Sequence, residues 1–440
     1  MRKKPSFRAG VARVNITPPV GIELSGYAGR KPSVAFSDDL YARALVVTDG
    51  TTKAAVMSLD LIDLDTEYVG QVGAEAARRT RIAPENLVFC STHTHFGPTT
   101  RKRDGDTSTS DTAAYMADLK FKLAGAIQEA NSNLRRATVS VGRAISGMAV
   151  NRRERTADGT IILGVNPEGP VDHEIAGLRI DGPVGRPLAF AFNYQCHPTS
   201  QTNTCRRISA DYPGPACRIV EDATGAMCLY LQGACGNIRP VLQDDDPEIP
   251  RRLGGMLGGA AIEAYETAEP IESVPLRVAS RTVKLPAKTF ASAAEAKRVI
   301  AHWEGQIEEL TARRVARARV EWARRLMEHA RAALESIQTG KPLPPVMAPM
   351  WAVRIGELGI ATAPGEIFVE IGQAVKERSP FAHTMFLGYT NGHIGYVPVP
   401  EEYPKGGYEV ERACRVAPGA AGIITDTALA LLRKVKRARK

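Results

Sequence analysis

The chain has 440 residues, of which 44% are hydrophobic and 24% charged, so it can bury a sizeable globular core. No apolar run reaches the roughly 18 residues that a membrane helix needs, and we predict no membrane span. Much of the net charge of +9 lies in a basic tail over 433–440. Because that tail carries neither interleaved aromatic residues nor a recognition motif, we predict no nucleic-acid binding.

The seven cysteines are scattered, odd in number and form no CxxC pair. This pattern is typical of reduced thiols rather than of a disulfide framework or a thiolate zinc site. The N-terminus is basic, but no apolar segment of signal-peptide length follows it. We therefore expect a cytoplasmic protein.

Strand-type and helix-type patterns alternate along the first 270 residues. Strands are predicted at 40–47, 53–61, 86–89, 137–145, 174–180, 188–195 and 227–231. Helices are predicted at 66–80, at 112–134, from 209–214 onward and at 250–267. This order predicts an α/β protein with mixed β-sheets flanked by helices. No internal repeat is apparent in the sequence.

Residues 289–340 are rich in Ala, Arg and Glu, lack proline and carry apolar stripes at helical spacing. We predict a helical insertion within a single domain that spans 1–440. The insertion would serve either as a homo-oligomer contact or as a flap packed on its own domain, and the sequence favours neither. A β-hairpin (351–361), a helix starting at Glu366, a strand (384–389), a loop-like segment (401–409) and a final helix from Gly419 follow.

His93 and His95 follow the apolar run 86–89, and the pair Gly97-Pro98 comes after Phe96. Two histidines two residues apart point to the same side of an extended chain. In open α/β sheets, ligand sites lie at strand ends. A bare HxH pair also occurs as surface histidines that only form hydrogen bonds, so partners elsewhere in the chain decide between the two interpretations.

Two such partners are present. His197 ends a predicted strand, and Glu366 follows Pro364-Gly365 at a predicted helix start. Histidine nitrogens and a carboxylate that converge from separate elements are typical of a hydrolytic zinc site. His393, in a glycine-containing loop, is a weaker candidate for the same site.

Five short motifs, taken in order, resemble the catalytic domain of the neutral/alkaline (non-lysosomal) ceramidases. They lie at 91–98, 196–199, 209–214, 364–366 and 395–397. The resemblance extends from about residue 9 to about residue 425. It implies a zinc amidase that hydrolyses an N-acyl bond. The implied zinc ligands are His93, His197, Glu366 and Tyr396.

The resemblance also implies roles around the metal. His95 would orient water or stabilise the developing oxyanion. Arg152 and Tyr408 match positions that line the substrate site and would hold the carbonyl or a polar head group.

The chain departs from the ceramidases in one active-site loop. A serine to which the family assigns a nucleophilic role is Arg239 here, and a nearby aspartate is Asn237. Arginine cannot act as that nucleophile but binds carboxylate or phosphate through a bidentate fork. The chain also ends where ceramidases continue into an immunoglobulin-like domain. We therefore expect Arg239 and Asn237 to bind a small polar or anionic substrate rather than ceramide.

Two functional hypotheses follow. In the first, the protein is a zinc-dependent hydrolase that cleaves the amide of a small N-acyl substrate with metal-activated water. In the second, it is a non-catalytic family member that binds a ligand or assembles through the helical insertion. The change to Arg239 favours the second hypothesis, and the presence of all four implied ligands favours the first.

Overall fold

The computed structural model describes residues 7–100, 110–313, 315 and 317–437. Its strands are β1 (Arg8–Asn15), β2 (Ala35–Phe36), β3 (Tyr41–Thr48), β4 (Lys53–Leu59), β5 (Leu87–Ser91), β6 (Arg135–Arg136), β7 (Thr138–Ile145), β8 (Ala149–Arg155), β9 (Ile161–Asn166), β10 (Glu174–Asp181), β11 (Pro187–Tyr194), β12 (Arg207–Ile208), β13 (Met227–Gln232), β14 (Ile238–Pro240), β15 (Glu269–Pro270), β16 (Leu276–Leu285), β17 (Val346–Ile355), β18 (Leu358–Thr362), β19 (Glu366–Ile367), β20 (His383–Leu387) and β21 (Tyr396–Val397). Its α-helices are α1 (Thr66–Thr80), α2 (Ser110–Ser132), α3 (Pro213–Thr224), α4 (Glu248–Glu266), α5 (Ala293–Ala312), α6 (Arg317–Thr339), α7 (Val369–Glu377), α8 (Tyr408–Glu411) and α9 (Ala420–Lys436).

The fold is mixed α/β, as predicted, and it repeats one topology three times. Each unit has three antiparallel strands, a helix, a fourth strand parallel to the third, and a second helix. Unit 1 (residues 8–132) contains β1, β3, β4, α1, β5 and α2. Unit 2 (138–266) contains β7, β10, β11, α3, β13 and α4. Unit 3 (276–436) contains β16, β17, β18, α7, β20 and α9. The expectation of no internal repeat was therefore wrong at the level of structure.

The three sheets share one buried core and carry their helices on the outer faces. Unit 1 contributes Val47, Val56 and Val88, unit 2 Leu178 and Leu229, and unit 3 Val353, Ile360 and Met385. Outer cores pack sheet 1 on α1 and α2, sheet 2 on α3 and α4, and sheet 3 on α7 and α9. This shared core supports the one-domain interpretation of 1–440, which stays a prediction.

The central strands are apolar on both faces because each face meets a different core. In β3, Leu45 and Val47 enter the shared core, whereas Ala44 and Val46 face α1 and α2. This alternation follows from the two-residue period of a strand. Each fully buried Val or Leu contributes about 1.5–3 kcal/mol to folding.

The topology also decides which loops meet. Within a unit, the first strand runs in the same direction as the third and fourth. The connections that leave these three strands therefore lie at the same end of the sheet, which we call the loop end. Residues from all three loop ends, among them His93, Arg152 and Glu366, line one cavity, as ligand-site loops do at the carboxyl edge of parallel strands.

Two local predictions needed correction. Glu366 lies in the short strand β19, paired with Tyr396 on β21, and helix α7 begins only at Val369. The segment expected to be a loop from 401 to 409 contains a 3-10 helix (Pro400–Lys405) and the start of α8. Among the described helices, none is long and apolar enough to cross a membrane.

Candidate metal and active site

His93 is aimed by an unusual backbone turn. Strand β5 ends at Ser91, and His93 has a left-handed φ of 67°. Its N–H donates to the carbonyl oxygen of Leu61 at 2.9 Å, and its ring Nδ1 lies 2.7 Å from that of Ile62. A carbonyl oxygen only accepts, so Nδ1 carries a hydrogen, and in the neutral ring Nε2 keeps a free lone pair. The expectation of an extended HxH strand was wrong, because the left-handed turn sets the ring direction.

His197, after β11, has the same tautomer. Its Nδ1 donates to the carbonyl oxygen of Cys235 at 2.7 Å, which leaves the Nε2 lone pair free. Burial, aided by Arg152, lowers the pKa of His197 to about 4. The ring is therefore neutral at physiological pH, which is the state in which histidine binds a metal.

Glu366 places a carboxylate oxygen against both imidazoles. Its Oε2 lies 3.2 Å from His197 Nε2 and 3.5 Å from His93 Nε2. In the neutral rings neither Nε2 carries a hydrogen, so these atoms then present lone pairs to one another. Two ligands about 2.0–2.1 Å from a tetrahedral zinc ion are themselves about 3.3 Å apart. The donor set and its spacing therefore fit a bound cation.

His95 completes a histidine triad whose candidate ligand atoms lie within 4.8 Å of one another. Its Nε2 is 3.3 Å from His93 Nε2, and its buried Nδ1 has no hydrogen-bond partner in the described structure. Burial, together with the neighbouring His93 and His197, lowers the pKa of His95 well below its usual value. A neutral ring at this position can ligate or carry a proton.

Tyr396 lies beside the triad, where its ring stacks with that of His197 at 6.4 Å. Its hydroxyl oxygen accepts a hydrogen bond from Arg152 at 2.8 Å, and Arg152 also pairs with the buried Glu409 at 2.8 Å. Burial raises the pKa of Tyr396 well above its usual value, although Arg152 opposes that shift. Tyr408 packs edge-on against Tyr396 at 5.9 Å. The sequence-predicted residues Arg152, Tyr396 and Tyr408 thus form one cluster.

Comparison with known proteins agrees with this geometry. A family model described as neutral/alkaline non-lysosomal ceramidase, N-terminal, matches residues 7–232. The chain belongs to the neutral/alkaline non-lysosomal ceramidase family. No curated protein sequence matches the chain significantly.

Two solved ceramidase structures share the fold. Neutral ceramidase from Pseudomonas aeruginosa superposes with a TM-score of 0.73 and 19% identity, over 99% of this chain and 75% of the other. A ceramidase complexed with C2 gives a TM-score of 0.74 and 19% identity, over 99% and 76% of the two chains. The ceramidase fold therefore covers all three units, including those beyond the family-model match.

The two residues of the loop that depart from the family, Asn237 and Arg239, have different surroundings. Asn237 is buried and engaged within the protein, because its amide donates to Glu370 and accepts from the N–H of Val369, both at 2.9 Å. Arg239 lines the cavity described below. Its hydrogen bonds in the described structure go to the carbonyl oxygens of Pro240 and Gly164, at 3.3 and 3.4 Å. The structure thus places Arg239, but not Asn237, where a substrate could be contacted.

A cavity of about 2280 Å³ opens beside the triad. Its wall includes His93, His95, Glu366, Tyr396 and Arg239. Cationic side chains outnumber carboxylates in this wall.

Sequence reasoning missed three groups that support the site. Tyr389 stacks on His93 at 3.9 Å, and Tyr27 contacts His95 edge-on at 5.1 Å. Glu409 holds both Arg152 and Arg153 at 2.8 Å. The left-handed φ of 49° at Tyr389 leaves no mark in a sequence, whereas the run Gly407-Tyr408-Glu409 could have drawn attention to Glu409. His393 also lines the cavity and lies 3.3 Å from Asp63.

Proposed function

We propose that the protein is a metal-dependent amidase, with zinc as the metal, that cleaves the C–N bond of a small N-acyl substrate. One observation supports this proposal above the others: the lone pairs of His93, His197 and Glu366 converge at the spacing of ligands on one ion. The ion would lie at the cavity wall, within reach of a small molecule.

Different residues of the chain would have different roles around that ion. His93, His197, Glu366 and Tyr396 would hold it. When bound, the ion would polarise the scissile carbonyl and bring the pKa of a coordinated water to about 7. His95 would take up the proton of the attacking water at Nε2, which lies 3.3 Å from His93 Nε2, and return it to the leaving nitrogen.

The remaining predicted residues would position the substrate. Arg152 is fixed by Glu409 and Tyr396, so its guanidinium is preorganised to orient a carbonyl oxygen. Tyr408 would contact the substrate beside it. Arg239, which bonds only backbone carbonyls among the described residues, would take a carboxylate of the substrate by its bidentate fork. Asn237 would hold the loop that presents Arg239.

The alternative is a family member that binds a ligand without catalysis, and the arginine in the loop favours it. Assembly into a homo-oligomer through α5 and α6 likewise stays a proposal. A cytoplasmic location is a proposal as well. The test below separates the catalytic proposal from the non-catalytic one.

The test combines elemental analysis with turnover. We expect about one zinc per chain in the purified protein. We also expect chelator-sensitive hydrolysis of at least one N-acyl amino acid or short ceramide. In His93→Ala and Glu366→Ala, zinc content should fall and kcat/KM should drop at least about a hundredfold.

The matched control is His173→Ala, because His173 bonds the carbonyl oxygen of Ser146 away from the triad. This variant should keep both zinc and turnover. Stoichiometric zinc without turnover of any C–N substrate would favour the non-catalytic alternative. Absence of zinc from the purified protein, and no uptake on addition, would reject the metal site itself.

A further inference from the structure

The predicted insertion is a helical hairpin of α5 and α6, and it occupies a defined place in the threefold topology. It connects β16 to β17, the first and second strands of unit 3. The corresponding connection in unit 1 carries Tyr27 and Arg30, and that in unit 2 carries Arg152. All three connections leave the loop end, and residues from all three line the same cavity. The hairpin is therefore the third wall of the site.

The hairpin packs mainly on itself. Trp303 meets Trp322 edge-on at 5.5 Å, and Ala323, Ala330 and Ala333 are buried between the helices. Among the described residues, none of the hairpin's buried side chains belongs to the four cores of the three units. The buried side chains of the hairpin therefore do not contribute to the cores that join the sheets and helices of the three units.

The base of the hairpin is fixed next to the site. Ala287 bridges to Val416, and the N–H of Lys288 donates to the carbonyl oxygen of Arg415 at 2.8 Å. Arg415 and Val416 belong to the connection between β20 and α9 of unit 3 (388–419), which also carries Tyr396 and Tyr408. The hairpin is thus attached to the segment that builds the active-site cluster.

The cavity-facing surface of the hairpin combines apolar side chains with charges of both signs. Val299, Trp322 and Leu326 are only partly buried and line the cavity, together with Arg298 and Arg325. At about 2280 Å³, the cavity exceeds the roughly 300–1,000 Å³ of a site for a compact small molecule. Its volume and wall fit an extended ligand with one apolar and one anionic part.

We propose that Val299, Trp322 and Leu326 form a subsite for the apolar chain of an anionic amphiphilic amide, of which an N-acyl amino acid with a medium or long chain is the type. This inference rests on the proposed function and names its substrate class. The chain would contact the hairpin while the amide reaches the triad and the carboxylate meets Arg239. Each methylene that becomes buried should raise affinity about fourfold.

The first experiment measures kcat/KM for N-acetylglycine, N-octanoylglycine and N-dodecanoylglycine below their micelle concentrations. Wild-type protein should prefer the longer chains. Leu326→Ala should lower the value for N-dodecanoylglycine about five- to tenfold and leave N-acetylglycine within about twofold. Leu310→Ala is the matched control, since Leu310 is a partly buried leucine of the same hairpin outside the cavity wall.

The second experiment needs no turnover. The chain has three tryptophans, and two of them, Trp303 and Trp322, line the cavity on the hairpin. In Trp351→Phe protein, N-dodecanoylglycine should shift tryptophan emission to the blue, whereas N-acetylglycine should not. Leu326→Ala added to this background should weaken the titration, and Leu310→Ala should not.

The outcomes separate the two proposals. Chain-length-independent turnover and binding, or equal effects of Leu326→Ala and Leu310→Ala, would overturn the subsite. Chain-length-dependent binding with no hydrolysis of any amide would support the subsite and reject the proposed function.

Discussion

At the residue scale, the site depends on strained backbone that aims side chains. His93 adopts φ 67°, a conformation that costs a non-glycine residue about 1–3 kcal/mol. The hydrogen bonds to the carbonyl oxygens of Leu61 and Ile62, which both follow β4, offset that cost. The same bonds fix the tautomer that exposes Nε2. Strain at this position is therefore part of how the candidate ligand is oriented.

A substitution at Gly26 tests how the position of the His95 ring affects catalysis. Gly26 has φ +92°, and a Cβ built on it would lie 2.5 Å from Cγ of the His95 ring. We expect Gly26→Ala to displace this imidazole and to lower kcat/KM about ten- to a hundredfold. Gly21→Ala is the matched control, because Gly21 has φ +100° with no heavy atom within 4 Å. Steady-state kinetics and urea unfolding of both variants check the prediction.

Both glycine variants should lose about 1–2 kcal/mol of folding free energy from backbone strain, because both positions have positive φ. Only Gly26→Ala should lose activity beyond that common effect. Equal losses of activity in the two variants would mean that strain, and not contact with His95, limits the site.

At the scale of elements, the sequence predicted those whose ends carry local signals. Helix α1 was predicted with its observed bounds, and in the structure Asp65 caps its first turn and Arg81 ends it in a left-handed conformation. Glu366 was assigned to a helix because Pro364-Gly365 looks like a helix start. Its pairing with Tyr396 on β21, 30 residues away, decided otherwise. Long-range pairing of this kind leaves no local pattern.

The loop that enters helix α3 carries a buried acid whose titration should affect stability. Asp211 accepts hydrogen bonds from the N–H groups of Ser200 and Tyr212, yet burial raises its pKa from 3.8 to about 6. Between pH 4 and 6 the folded protein binds a proton that the unfolded chain has lost. This contribution to stability is therefore complete below about pH 4 and is lost as pH rises through 6.

Asp211→Asn removes this titration. The free energy of unfolding of Asp211→Asn minus that of the wild type should rise by about 2–3 kcal/mol between pH 4 and pH 7. Altered hydrogen bonds add a constant offset to this difference and do not change the rise. Urea unfolding of both proteins at several pH values measures the difference. Asp222→Asn, at an exposed position of α3, is the matched control. Parallel profiles for the wild type and Asp211→Asn would contradict the prediction.

At the scale of the whole molecule, the sequence revealed the family but not the threefold architecture. Short motifs predicted His93, His197 and Glu366 as metal ligands, because the chemistry of a catalytic site restricts which residue types can occupy its positions. The repeat was not visible, since the units share strand order and burial rather than residues. The α5–α6 hairpin in unit 3 and β8–β9 in unit 2 further disturb any regular spacing. The hairpin's contact with the cavity likewise arises only when three loop ends meet.

The proposed ligands come from all three units, His93 from unit 1, His197 from unit 2, and Glu366 and Tyr396 from unit 3. A bound ion would connect units that otherwise associate through the shared core. Removing the ion should therefore lower the free energy of global, cooperative unfolding and not only loosen one loop. At ion concentrations of 100 to 1,000 times Kd, the loss should be about 3–4 kcal/mol.

Thermal unfolding with and without a chelator measures this effect. We expect the chelator to lower Tm of the wild type and of His173→Ala, and zinc to restore it. His197→Ala should unfold at one Tm whether or not chelator is present, because one ligand from unit 2 is missing. A chelator-induced shift of the same size in His197→Ala would show that the stabilising ion binds elsewhere. A local change at the loop end without a change in global Tm would show that the shared core alone joins the three units.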